Sequence, residues 1–156
     1  MTAVYFTVIA VLLAHPAPAQ KAPTLDYSFF KERVQPILLK KRPGHARCVT
    51  CHRHGSPPLV PLAAGASGWT EEQSRKNFEI WKLFVVPGDP LKSSLLRHPL
   101  TEAAGGDRFH AGGKHWKSQS DPEWQTLAAW VRGQNGMSPL TGDEKSLLQK
   151  TGGAKK

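Results

Sequence analysis

Two cysteines three positions apart with a histidine directly behind them, Cys48-Val-Thr-Cys51-His52, constrain this chain more than any other feature, because no other cysteine occurs in its 156 residues. Two cysteines cannot build the disulfide framework of a small secreted scaffold, so the bracket has another purpose. Cys-x-x-Cys-His is the attachment pattern of a c-type haem. On one helical turn the two thiols project from one side and meet the two vinyl groups of one porphyrin, while the adjacent imidazole reaches the iron. Covalent attachment suits an exported protein, which cannot rely on re-acquiring lost haem, and the porphyrin adds apolar surface to a chain with few helices of its own.

Competing uses of the bracket fit less well. A zinc site could recruit His45, Cys48, Cys51 and His52, but four ligands within eight residues, two of them adjacent, do not readily form a tetrahedron. A thioredoxin-like dithiol wants a βαβ context that the sequence does not offer. A Cys48–Cys51 disulfide explains neither His52 nor the histidines of a later glycine-rich loop.

The compartment agrees with the haem reading. Ala3 to Ala14 is an apolar run broken only by Thr7, and Pro16 and Ala17-Pro18-Ala19 follow it in the small-residue cleavage pattern of a secretory signal peptide. Residues 1–19 are therefore expected to be removed, leaving 20–136 as one domain and 137–156 as a basic tail. The prolines stop the run short of the roughly 20 apolar residues a membrane span needs, and no second run of that length follows. The mature chain is expected in the periplasm or otherwise outside the cytoplasm, with no transmembrane segment.

At this length, with 39% hydrophobic residues, the chain has one modest core. A first amphipathic helix is predicted from Asp26, its N-cap, with Phe30, Val34, Ile37, Leu38 and Lys41 at helical spacing and a bend at Pro36. Residues 56–68 read as a loop. Thr70-Glu-Glu-Gln73 is a capping box ahead of a second helix carrying Phe78, Trp81, Phe84 and Val85. Asp89-Pro90 opens a short segment with Leu91, Leu95 and Leu96, and Asp121-Pro122 opens the last strong helix, with a stripe of Trp124, Leu127, Ala128 and Val131 ending at Gly133. No strand alternation of useful length appears. The fold class is all-α, with long loops, and residues 99–120 form an ordered loop around something.

Counting narrows the sixth iron ligand. Methionine commonly partners histidine in small cytochromes c, but only Met1 and Met137 exist. Met1 leaves with the signal peptide and Met137 follows the last strong helix. The stretch ahead of that helix is Phe109-His110-Ala-Gly-Gly-Lys-His115-Trp116. His110 is the expected distal ligand, since Gly112 and Gly113 let the backbone approach a flat haem face, and His115 is the alternative. His45, His54 and His98 read as surface histidines. Trp69, Trp81 and Trp116 read as packing residues, and Arg42, Arg47 and Lys114 as solvated charges that could also pair with propionates.

The segments Phe29-Phe-Lys-Glu-Arg-Val-Gln-Pro-Ile-Leu-Leu-Lys-Lys41, Cys48-Val-Thr-Cys51-His52, Val86-Pro-Gly-Asp-Pro-Leu-Lys-Ser-Ser-Leu-Leu96 and Asp121-Pro-Glu-Trp-Gln-Thr-Leu-Ala-Ala-Trp-Val-Arg-Gly133 together resemble the small single-haem cytochrome c domains of planctomycete and acidobacterial exported proteins. The resemblance spans about residues 27–133. It implies a class I-like cytochrome c fold of three to four helices, with first and last helices crossing beside one covalent haem c. It places the haem-bonding thiols on Cys48 and Cys51 and the proximal ligand on His52. Many members carry Met-Pro-Pro ahead of the last helix, where this chain has His110-Ala-Gly-Gly.

The expected function is an exported single-electron carrier, with a lower potential than a His/Met relative because a second imidazole favours the ferric state. A net charge of +9, about +7 with both propionates ionised, would steer it to acidic faces of redox partner proteins. No nucleic-acid recognition motif accompanies the charge. The rival functions are a haem sensor or small peroxidase with an exchangeable sixth site, and a haem subunit of a larger redox complex.

Overall fold

Asp26 opens the first helix as its position in the sequence suggests, its carboxylate accepting from the Phe29 backbone N–H at 2.5 Å. The structure is a computed structural model that describes residues 23–134; the expected signal peptide, Met137 and the expected basic tail lie outside the described residues. Helix α1, residues 27–39, is built from an α-helical turn Tyr27–Phe29, a π-helical turn Phe30–Val34 and an α-helical segment Gln35–Leu39. The irregularity expected at Pro36 takes the form of that π turn. Proline lacks an N–H and its ring crowds the carbonyl four residues back, and the wider turn, with Gln35 N–H reaching Phe30 O, relieves both. Phe30, Val34, Ile37 and Leu38 are buried as predicted. Lys41 is not on that face: it is exposed, its ammonium donating to the His45 carbonyl.

Helix α2, Cys48–His52, is one turn that buries Val49. The loop behind it folds back through Leu59 N–H to His52 O at 2.8 Å and is pinned by buried Leu59. Helix α3, Glu71–Trp81, starts at the predicted capping box: Thr70 Oγ1 accepts from Gln73 N–H and Gln73 Oε1 from Thr70 N–H. Its most buried stripe is Ser74, Asn77 and Trp81, two of them polar and so missed by an apolar pattern. Ser74 bonds Gln35 of α1, and Asn77 Oδ1 accepts from Val60 N–H.

Helix α4, Ser94–Arg97, begins later than Asp89-Pro90 suggests. Asp89 caps a turn, accepting from Lys92 N–H at 3.1 Å, and buried Ser93 ties that turn back to Val86 and Asp89. The shift leaves Leu91 exposed while Leu95 and Leu96 are buried. Helix α5, Pro122–Val131, has its N-cap at Asp121 and buries the whole predicted stripe together with Trp130.

Phe30, Phe78 and Trp130 join α1, α3 and α5 through ring centroids 5.2 to 6.2 Å apart, each pair contributing roughly 0.5–1.5 kcal/mol beyond area burial. Trp130 Nε1 also donates to Asp26 O at 2.9 Å, fixing the end of α5 against the start of α1. Among the described residues the chain is all-α: it has these five helices, short 3₁₀ turns, and no strand beyond an isolated bridge between Leu100 and Trp116. The expected three to four helices become five because α2 and α4 are each about one turn. Among the described residues no helix is long and apolar enough to cross a membrane.

Candidate cofactor site

A cavity of about 480 Å³ opens beside α2, within the roughly 300–1,000 Å³ typical of small-molecule and cofactor pockets. Cys48, Cys51 and His52 enter it from α2, and His110 and His115 from the loop ahead of α5. The structure thus brings all the site residues expected from sequence to one space. Leu38, Trp81, Leu95 and Leu127 supply apolar wall from four different helices. The two thiols are unlinked, and burial pushes the Cys48 thiol up against the lowering effect of the Arg42 guanidinium.

The histidines are held alike. His52 Nδ1 lies 2.7 Å from Pro57 O, and His110 Nδ1 lies 2.5 Å from Gly113 O. A carbonyl can only accept, so in each ring Nδ1 carries a proton, and the neutral form of such a ring presents Nε2 as the free lone pair, the tautomer a metal-ligating imidazole needs. The rings are 6.3 Å apart between centroids, with planes 24° from parallel. Trp81 packs edge-on against His52 at 5.5 Å. His110 is partly buried, which lowers its pKa and keeps the ring neutral, although the Gly113 carbonyl opposes the shift.

The glycines serve His110 itself more than an approach to a flat ligand. A Cβ on Gly112 would stand 3.1 Å from His110 Cε1, so a larger residue there would press on the ring by a few tenths of an ångström. Gly113 has φ +80°, the left-handed region, in the turn whose carbonyl accepts from His110 Nδ1. Ahead of this turn, Asp107 accepts from Arg97 Nε at 2.7 Å, from Phe109 N–H at 2.9 Å and from His98 Nδ1 at 2.8 Å. Desolvation pushes the Asp107 carboxyl up, but these donors outweigh it and hold the group at about 2.

Several expectations are corrected here. His98 and His45 are not simple surface residues: His98 lines the cavity and binds Asp107, and the His45 ring lies 4.5 Å from that of His115. His54 is exposed, as expected. His115 shares the cavity, but it is His110 that comes to 6.3 Å from His52. His115 Nδ1 is buried without a partner, and burial, reinforced by Arg42, His45 and His110, takes its pKa down to about 4. Arg42 is no solvated charge: only 7% exposed, it donates to Glu123 and to Ile37 O, and Nη1 is 3.8 Å from Cys48 Sγ. Lys40 binds the other Glu123 oxygen at 2.8 Å. Lys114 donates to His98 O at 2.7 Å, whereas Arg47 is an exposed cation on the cavity lining. Trp69, Trp81 and Trp116 are packing residues, the first two donating to Val60 O and Pro58 O.

Sequence reasoning missed the Lys40–Arg42–Glu123 cluster and the Asp107 contacts, since both join residues far apart or on irregular loops where no periodicity marks a partner. Compared with known proteins, the chain matches no family model, no curated protein and no solved structure.

Proposed function

We propose that this chain is an exported c-type cytochrome with a class I-like fold, carrying single electrons through one covalent haem c with two histidine ligands. The observation that carries the reading is the His52–His110 pair, 6.3 Å apart with both Nδ1 atoms occupied by backbone carbonyls, at a cavity that also receives Cys48 and Cys51. The donor set fits the group: two thiols that could form thioether bonds and two imidazoles that could bind its iron. Zinc fits it less well. Among the described residues no three histidine, cysteine or carboxylate side chains converge on one point, and a structural zinc site takes four donors.

Cys48 and Cys51 would hold the porphyrin, and His52 and His110 would hold the iron through Nε2. When bound, the haem supplies a one-electron Fe(III)/Fe(II) couple. The protein's contribution would be to orient both imidazoles through the Pro57 and Gly113 carbonyls, beside apolar walls from Trp81, Leu95 and Leu127. Phe109, 67% exposed on the cavity rim with the Arg108 guanidinium 5.5 Å from its ring centre, is suited to a partner face that is apolar at its centre and acidic around it. The net charge of +9 favours the same partner. A pyridine haemochrome spectrum with a mass of the denatured chain tests the proposal. A c-type band with haem mass retained is expected; a bare polypeptide mass after expression with haem-attachment machinery would overturn it.

A further inference from the structure

The loop that carries His110 grips His98 at two points. The Asp107 carboxylate accepts from His98 Nδ1, and Lys114 Nζ donates to the His98 carbonyl at 2.7 Å. Asp107 also accepts from Arg97 and from the Phe109 backbone. The two grips lie three residues before His110 and four after it. Apolar anchorage between them is slight, because Phe109, Ala111 and Gly112 are exposed. His98 directly follows α4, whose Leu95 and Leu96 are buried, so the clamp ties the His110 loop to the core.

Resting on the reading of His110 as the sixth ligand, we propose that Asp107 and Lys114 are positioning residues that set how often His110 leaves the iron. The clamp thereby decides whether the site is closed to small exogenous ligands. Asp107 is the stronger half. It makes charge-assisted bonds to Arg97 and His98 and also fixes the Phe109 amide, one residue from the ligand, whereas Lys114 makes one bond to a carbonyl.

The test is stopped-flow mixing of the ferrous holoprotein with carbon monoxide. At high carbon monoxide the observed rate levels off at the rate of His110 departure. In Asp107→Ala this plateau is expected to rise about ten- to hundredfold, the scale set by losing several partly buried charge-assisted bonds. Asp107→Asn, which keeps the shape and one acceptor, should show a smaller rise, and Lys114→Ala a rise of severalfold. Glu71→Ala removes a carboxylate from a surface network with Tyr27, Lys31 and Arg75 outside the cavity, and its plateau should match wild type even if its melting temperature falls. Wild-type plateaus in both Asp107 variants would overturn the clamp while leaving bis-histidine ligation standing. A wild-type rate that rises linearly without a plateau, with a high-spin ferric spectrum, would overturn the His110 reading and the clamp with it.

Discussion

Replacing Glu123 with alanine strips the partner from a cation that has little access to water. Glu123 Oε2 accepts from Arg42 Nε at 2.8 Å and again from Nη2, and Oε1 accepts from Lys40. Lys40 retains some exposure and can turn to solvent, so its share is below about 1 kcal/mol. Arg42 cannot follow. An unpaired buried charge costs about 3–5 kcal/mol, and since Nη2 keeps the Ile37 carbonyl and the guanidinium stays 5.8 Å from the Trp116 ring centre, the lower end applies. The expected loss is about 3 kcal/mol, read by urea unfolding followed by circular dichroism, with a melting temperature lower by roughly 10–15 °C. The double variant Arg42→Met/Glu123→Leu, which removes both charges, should recover most of that loss. The pH dependence has a defined sign. Burial raises the Glu123 pKa, but Lys40 and Arg42 outweigh it and hold the carboxyl below its usual range. The stabilisation is therefore complete above the ordinary glutamate value of about 4.3 and is lost as pH falls through the lower folded value, so Glu123→Ala should show a flatter stability curve in acid. A loss under 1 kcal/mol, or a double variant no more stable than the single one, would refute the reasoning.

Other outcomes follow from the same geometry. His110→Met should raise the reduction potential, because a thioether favours the ferrous state relative to imidazole; an unchanged potential in a voltammetric titration counts against His110 as a ligand. Gly113→Ala, at φ +80°, should cost about 1 kcal/mol or more in unfolding experiments and loosen the carbonyl that orients His110, visible as a larger high-spin fraction. Trp130→Ala removes a fully buried ring and the bond to Asp26 O; about 3–5 kcal/mol should be lost in denaturant unfolding, and a loss under 1 kcal/mol would mean that α1 and α5 do not depend on this contact. The Asp107 carboxyl should titrate near 2 by carbon NMR, so that its contribution is complete above pH 3.9 and lost only toward pH 2; a midpoint near 3.9 would remove the electrostatic basis of the clamp.

Local rules carried the regular parts of the fold. The capping box at Thr70 and Gln73, the proline after Asp121 and the spacing of Trp124, Leu127, Ala128 and Val131 are signals within a single helix, and each recurs in the structure. Where the fold depends on partners distant in sequence, the pattern was silent. Ser74 and Asn77 are buried because Gln35 and Val60 satisfy them, and Arg42 because Glu123 lies 81 residues away. The Asp89-Pro90 signal is that of a helix start, yet Asp89 finds its donor in a turn, and buried Ser93 precedes the helix instead. At the site, residue chemistry singled out Cys48, Cys51, His52 and His110. The carbonyls that orient both imidazoles belong to Pro57 and Gly113, and which carbonyl meets which ring depends on loop turns that no side-chain spacing marks.

The account turns on two histidines, His52 and His110, binding one iron. The most direct test is the low-temperature electron paramagnetic resonance spectrum of the ferric protein, wild type beside His110→Ala. Two neutral imidazoles predict a low-spin signal in the wild type that gives way to a high-spin signal in the variant. A wild-type spectrum that is already high-spin, or a low-spin signal that survives loss of His110, would contradict it.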